Sequence, residues 1–400
     1  MKPICSLFLL VLFLAMAVAC NNNTGNTGNN AQSSAAGKEF KVSDAAPTNA
    51  PPTEAVSDGF FKIMQGKVGT AEIEMRLLKV ANRLSGSYSY TKIGAHLELI
   101  APDNKDNLTP DGSFTLLEFG EDAKGEYGQS GEFSGKILPD GKMTGTWKSA
   151  DGKRSLPFEL TERSAKASAN MAIRRIVKTE GNCNTDETCC HFEVVYPDIT
   201  FISEGNAQIM QTINGRIMQI LSESMPSENP TNPQEAAARF CKEFNEVNTE
   251  TDFKTSWEFE IMPEIYLNDA NILSIGFANY VYMGGAHPNS AETFHNFKLT
   301  TGKEIELTDI FKAGYQPKLT AIAEQKMRKL HNIPPKKPLS EYGFFEDTFE
   351  LNNNFALSLK GITFLYNPYE ITPYVMGEQR IYIPFTEVKD LLKPDGVVFW

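Results

Sequence analysis

Four hundred residues at 41% hydrophobic content are enough for two cores, and 29 Gly with 22 Pro is ordinary for a loop-connected globular chain. The 38 basic and 50 acidic residues give a net charge of −12, and without residues 1–19, whose only charge is Lys2, it becomes −13. A nucleic-acid partner is excluded, because phosphate binding needs a concentrated basic surface and only short clusters such as Lys336-Lys337 occur. A basic partner, by contrast, would be steered towards such a chain.

Met1-Lys2 leads into an apolar run from Ile4 to Ala19 that ends in Ala17-Val18-Ala19-Cys20, too short and too early for a stable membrane span. It resembles a bacterial lipoprotein signal, with Cys20 as the acylated first residue of the mature protein. It departs from the usual pattern in carrying Ala17 where Leu is common. The alternative is an ordinary secretory signal cut before Cys20; on either reading the protein leaves the cytoplasm. Residues 20–57 are rich in Asn, Thr, Gly, Ser, Ala and Pro, cannot bury enough apolar surface to offset their ordering entropy, and read as a flexible tether. No acidic residue directly follows Cys20, and the leaflet stays open.

Short alternating runs follow from 58 to 163. Ile73, Met75 and Leu77 oppose Glu72, Glu74 and Arg76, and Leu97 and Leu99 oppose His96 and Glu98. Turn signals such as Asp140-Gly141 and Asp151-Gly152 separate strands expected at 60–64, 71–79, 84–91, 95–100, 113–119, 130–137, 142–149 and 154–161. About eight antiparallel strands with no intervening helix predict an all-β domain, an up-and-down meander closed into a small barrel, since closure removes exposed edges. Gly86 to Tyr90 and Gly145 to Trp147 are similar to strand starts in avidin-like and lipocalin-like barrels. That implies a ligand in the barrel mouth unless Tyr88, Tyr90 and Trp147 are simply core. His96, on the polar face beside Glu98, reads as solvated.

Residues 164–170, SAKASAN, read as a linker, and 171–400 as an α+β domain. Residues 172–179 and 190–199 form a predicted hairpin. Ile209, Met210, Ile213, Ile217, Ile220 and Leu221 recur at helical spacing. Asn232-Pro233-Gln234-Glu235 supplies a cap, a first-turn proline and a glutamate before a second helix that carries Phe240, Cys241 and Phe244 on one face. Strands are expected at 255–267, 271–283, 292–299 and 303–307, a helix at 317–330, strands around 355–359, 362–366 and 379–384, and a short helix at 386–392.

Setting aside Cys5 in the signal and Cys20, four cysteines remain, an even number suited to an oxidising compartment. Three pairings are possible. The neighbours Cys189 and Cys190 are the least comfortable bridge. Cys190 shares a strand face with Phe192 and Val194, and Cys241 lies on an apolar helix face. The expected bridges are therefore Cys190–Cys241 and Cys183–Cys189. A metal site is the rival reading, but the cysteine spacing matches no common zinc pattern and His191 projects from the face opposite Cys190, so neither metal nor cofactor is expected.

The second half is organised around residues 271–289, NILSIGFANYVYMGGAHPN, an alternating strand that ends in two flexible glycines and an imidazole. Four ordered segments are Tyr280 to His287, Phe297 to Phe311, Gly361 to Ile371 and Gly377 to Phe385. Together they resemble the extracytoplasmic domain shared by the anti-sigma factor RsiV and the peptidoglycan deacetylase PdaC, over roughly 171–395. In RsiV that domain binds lysozyme, a basic protein; in PdaC it accompanies a separate catalytic domain, whose TFDD-like and HxxxH motifs do not occur here. The resemblance thus implies a sensing or binding module.

No catalytic motif of the HExxH, GxSxG or phosphate-loop type is present. Tyr282, Gly284, Gly285, His287, Tyr366 and Tyr369 are the ligand-binding candidates. His287 and His295 could approach each other across a hairpin as a base or metal pair, although His295 shares parity with Phe297 and Leu299 and fits a hydrogen-bonded core residue. Glu258, Glu260 and Glu264 form an acidic stripe, either a solvated face or a surface for a cationic partner. The preferred reading is a noncatalytic envelope lipoprotein that binds a protein such as lysozyme or a cell-wall glycan. Its rivals are a wall-polymer hydrolase or deacetylase-like enzyme using His287, and a small-molecule carrier using the barrel.

Overall fold

The computed structural model describes residues 56–121, 127–181, 183, 188–203, 205–226, 230–250, 254–394 and 396. The expected signal, Cys20 and the expected tether through residue 55 lie outside the described residues. The tether's last two residues, Val56 and Ser57, already open a strand.

Eight strands form the barrel: β1 (Val56–Val68), β2 (Ala71–Val80), β3 (Arg83–Tyr90), β4 (Leu97–Ile100), β5 (Ser113–Glu121), β6 (Tyr127–Ile137), β7 (Met143–Ser149) and β8 (Ser155–Glu162). Each pairs antiparallel with the next, and β1 closes the ring on β8 from Met64↔Glu162 to Val68↔Phe158. Gly66 permits that closure, because a Cβ there would stand 2.0 Å from the Glu159 carbonyl. The alternation read from sequence points Met75, Leu77, Leu84, Leu99, Leu116, Phe133, Met143 and Leu160 into one buried cluster. Tyr88 and Trp147 belong to it too, as core residues. Both reach Glu118, itself buried: the Tyr88 hydroxyl donates at 2.7 Å, the Trp147 indole at 2.5 Å and the Ser130 hydroxyl at 2.7 Å.

The two halves share one sheet. The first residues of β1 pair with β9 (Ala169–Glu180) through Val56↔Arg175 and Gly59↔Ile173, so the strand that seals the barrel also continues the second half. Nor is the 164–170 segment a free spacer. The carbonyls of Lys166 and Ala167 accept from Ala270 N–H and Asn271 N–H, and Ala169 begins β9.

Beyond β9 comes its antiparallel partner β10 (Cys190–Ile202). Helices α1 (Ala207–Ser224) and α2 (Pro233–Glu250) then carry the chain back to β11 (Trp257–Asp269), which lies parallel to β10. Asn206 caps α1 by accepting from Ile209 N–H, and Asn232 accepts from Glu235 N–H at the start of α2, as the residue types required. β12 (Ile272–Tyr282) and β13 (Asn289–Lys298) complete the sheet. Phe192, Val194, Phe259, Ile261, Leu273 and Ile275 on one side of it pack with Ile213, Ile217, Leu221, Phe240 and Phe244 of the two helices. The Cys190–Cys241 disulfide ties β10 to α2 within this core, and Cys183–Cys189 closes the hairpin tip.

A second core gathers α3 (Leu307–Ile310), α4 (Gln316–Leu330) and a three-stranded antiparallel sheet of β14 (Phe355–Leu357), β15 (Gly361–Tyr366) and β16 (Gln379–Pro384). Two expectations are corrected here. The strand expected at 303–307 is only a Phe297↔Glu304 bridge leading into α3, because Glu306 and Asp309 form a reciprocal capping box that starts a helix. The helix expected at 386–392 is a single 3-10 turn, Phe385–Glu387: Lys312 N–H to the Leu391 carbonyl and Lys393 N–H to the Ile310 carbonyl draw that backbone into pairing instead.

The small sheet docks on edge strand β13 through asparagines. Glu292 N–H donates to Asn367 Oδ1 at 2.7 Å and Phe294 N–H to Asn354 Oδ1 at 2.8 Å, while Asn296 Nδ2 donates to the Phe355 carbonyl at 2.7 Å. Side-chain amides thus satisfy an edge that would otherwise offer itself to another strand.

Candidate functional site

The turn joining β12 to β13 needs backbone that side-chain-bearing residues avoid, with φ of +92° at Gly284 and +113° at Gly285. Tyr282 supports it by donating from its hydroxyl to the Gly285 carbonyl at 3.3 Å. His287 is thereby presented at the surface, facing the β15–β16 connection. There Tyr369 occupies a left-handed turn position at φ +70°, held by its own N–H to the Thr372 carbonyl. The His287 ring stacks on Tyr374 at 4.0 Å and 19°, and Tyr369 lies 5.7 Å from Tyr374. Imidazole Nδ1 is 2.7 Å from the Pro288 carbonyl, so it carries the proton, and Nε2 accepts from the Tyr369 hydroxyl at 3.3 Å. Tyr369 is 55% exposed and the adjoining Val375 89% exposed. The three rings form an open aromatic platform whose imidazole has both nitrogens engaged.

Beside this platform lies a cleft of about 130 Å³. It is lined by Glu98 of β4, Glu264 of β11, Ala278 and Asn279 of β12, Ser290, Ala291 and Glu292 of β13, and Glu378 and Arg380 at β16. Arg380 donates to Glu292 at 2.6 Å, to Glu378 at 2.7 Å and to the Tyr266 hydroxyl at 2.6 Å. Gly276 makes room for the Glu292 carboxyl, which would stand 2.2 Å from a Cβ at that position. Burial pushes the Glu292 carboxyl up to about 8; Arg380 opposes this, and the charges of Glu264, Glu378 and Glu98 reinforce it. Glu98 is pushed up by burial and by Glu264. Burial acts the same way on Glu264, but His96 and Arg380 outweigh it and hold that carboxyl below its ordinary value.

Several sequence expectations change. His96 is not solvated: its ring stacks on Tyr266 at 4.5 Å and its Nε2 meets Glu264 at 2.9 Å. The barrel's β3–β4 segment docks against β11, and a polar-face position becomes an interface position. For the same reason the acidic stripe is not one surface. Glu264 faces His96, and Glu260 is half-buried near His191. Glu258 is half-exposed, paired in register with Tyr282. Tyr366 is buried, its hydroxyl on the Glu350 carbonyl, and is a core residue rather than a ligand contact. His287 and His295 are not brought together: His295 Nδ1 binds Glu304 at 2.7 Å, Glu304 is also held by Arg216, and the two histidines share no partner. Tyr282, Gly284, Gly285, His287 and Tyr369 do converge.

Tyr374, Glu292 and Arg380 are the residues that sequence reading missed. A signal existed for one of them, since Glu292 shares strand parity with Phe294 and Asn296, so a carboxylate was being placed on a buried face. Nothing local marks Arg380, which alternates normally with Ile381 and Ile383, or ties Tyr374 to His287.

The α+β half contains one PdaC-like region and one DUF3298-like region. Residues 183–290 match the family described as Deacetylase PdaC, and residues 308–386 match Protein of unknown function (DUF3298). The chain is 28% identical over 174 residues to the peptidoglycan-N-acetylmuramic acid deacetylase PdaC of Bacillus subtilis (strain 168), covering 43% of this chain and 37% of that one. It therefore spans well under half of the curated relative it matches. Among solved structures it is similar to a DUF3298 family member from Bacteroides fragilis NCTC 9343, at 22% identity and TM-score 0.48, over 57% of this chain and 96% of that one. A DUF3298 family protein from Pseudomonas aeruginosa PAO1 is similar at 15% identity and TM-score 0.45, over 58% and 98% respectively. Among the described residues no helix is long and apolar enough to cross a membrane.

Proposed function

We propose that this chain is a noncatalytic envelope lipoprotein, anchored through Cys20, that binds a cell-wall glycan on the His287–Tyr369–Tyr374 platform. The single observation behind the reading is the state of His287. Its ring is stacked, its Nδ1 faces a backbone carbonyl and its Nε2 takes a tyrosine hydroxyl, while no carboxylate is hydrogen-bonded to it among the described residues. A general base needs a free lone pair aimed at substrate. A stacked, exposed aromatic surface with fixed polar edges suits the apolar face of a sugar ring.

Co-sedimentation of the purified chain with insoluble peptidoglycan tests it. The wild type co-sediments, and His287→Ala or Tyr374→Ala weakens the association about tenfold, the equivalent of roughly 1.4 kcal/mol. No acetate or reducing end is released. A wild type that ignores the polymer refutes the proposal, and turnover lost in His287→Ala would replace it with the hydrolase or deacetylase reading. A basic protein such as lysozyme is the second reading, favoured by Glu258 and Glu260 beside Tyr280, whose phenol is pushed up by burial and then by those two carboxylates. Salt-sensitive capture of lysozyme that survives Tyr374→Ala would select it.

A further inference from the structure

On the sheet face opposite α1 and α2, β10 and β11 run parallel with His191 level with Glu258 and Glu193 level with Glu260. His191 Nε2 lies 3.5 Å from Glu193 Oε2 and 3.8 Å from Glu260 Oε1, and the three ligand atoms all fall within 4.8 Å of one another. Two ligand atoms that each sit about 2.0–2.2 Å from a tetrahedral zinc ion stand roughly 3.3–3.6 Å apart. The two distances from His191 are close to such an edge, and the two carboxylates need only a small approach to complete three corners. We propose that His191, Glu193 and Glu260 form a binding site for a divalent transition-metal cation of the zinc class.

The surroundings orient the donors. His191 Nδ1 is 3.1 Å from Thr179 Oγ1, across the strand pair from it; a proton donated there leaves the Nε2 lone pair facing the two carboxylates. Glu193 is fixed by two arginines that favour its other oxygen. Arg83 of the barrel binds Oε1 at 3.1 Å and Arg175 binds Oε1 at 2.9 Å, with one longer contact of 3.4 Å to Oε2. The two guanidiniums are set against three carboxylates around His191, namely Glu193, Glu260 and Glu258, so charge does not exclude a cation. The side chains of His191 and Glu260 are each 23% exposed, which gives an ion a way in and leaves a fourth position for water or for Glu258. Three donors that include an imidazole suit zinc; calcium takes six to eight oxygens at longer distances. The site reaches from β10 and β11 to the barrel through Arg83, so occupancy would stiffen the joint between the halves.

Calorimetric titration of the full purified chain with zinc chloride, then with magnesium and calcium chloride, tests the site. One zinc ion is expected to bind per chain, at least tenfold more tightly than either other ion, with a rise in melting temperature. His191→Ala and Glu260→Gln each weaken zinc binding at least tenfold, while His287→Ala, at an exposed histidine elsewhere, leaves it unchanged. Glu193 keeps both arginines in the first two variants, so their melting temperatures without zinc stay near wild type. Should His191→Ala fail to fold, Glu260→Gln decides alone. Absence of a saturable zinc site in the wild type, or zinc affinity unchanged in the variants, overturns the assignment.

Discussion

Two buried carboxylates show how differently the halves of this molecule are built. Glu118 lies inside the closed barrel, where three neutral donors, Tyr88, Trp147 and Ser130, converge on it. Burial, and after it the Glu118 charge, pushes the Tyr88 phenol far above its ordinary value, so Tyr88 stays a donor. Glu292 also lies in the interior, but at the wall of an open cleft, balanced by Arg380 against three further carboxylates. The barrel spends its polar groups on plugging itself. The second half leaves its polar and aromatic groups facing a cleft and a platform. Aromatic residues in a small barrel therefore do not by themselves indicate a ligand pocket.

The comparison can be broken at three points. The largest effect is expected where chain connectivity, rather than a polar pair, holds the second half. Replacing Cys190 and Cys241 by Ser opens a crosslink across 51 residues and should destabilise the fold by about 4 kcal/mol on the chain-entropy view. Removing Cys183–Cys189, which spans 6 residues, should cost about 2 kcal/mol. Urea unfolding of the two variants measures the difference, and equal losses would mean that loop length is not what matters here. Next, Glu118→Ala removes the acceptor that Tyr88, Trp147 and Ser130 share, leaving the buried Trp147 indole without one and Tyr88 and Ser130 with only 3.5 Å contacts, and should cost about 3 kcal/mol. The loss should register as a lower urea midpoint, and a nearly neutral variant would show that water enters the barrel.

The smallest effect is a pH dependence. Glu292 has a folded pKa of about 8, above its ordinary carboxyl value, so the folded chain holds a proton that the unfolded chain has released. Its contribution is fully present below the unfolded carboxyl pKa and is lost as pH rises through about 8. Glu292→Gln should therefore remove a decline on the order of 1–2 kcal/mol between about pH 6 and pH 8. Parallel wild-type and variant melting curves across that range would contradict the assignment.

Much of the frame was legible from local pattern. Period-two alternation placed the eight barrel strands within a few residues, because a strand with one wet and one dry face writes its geometry into the sequence. The faces of Cys190 and Cys241 predicted the bridge that the structure contains. What alternation cannot report is which body arrives on a polar face. His96 alternated as an outward residue and is outward from the barrel, yet that exterior docks against Tyr266 and Glu264. Tyr366 sat in a motif of exposed-looking aromatics and is core, since Phe349 and the rest of the second core pack against it.

The sequence by itself therefore determined the barrel's strand count, the cap of the second helix, the cysteine pairing and the turn that carries His287, all of which depend on neighbours a few residues away or on which face a side chain occupies. Only the tertiary structure decided that Tyr374 lies under His287, that Arg380 meets Glu292, and that His191 faces Glu260. Those pairs are separated by 69 to 88 residues. Over such a span a side chain's partner is set by the docking of separate sheets and strands, which no local periodicity encodes.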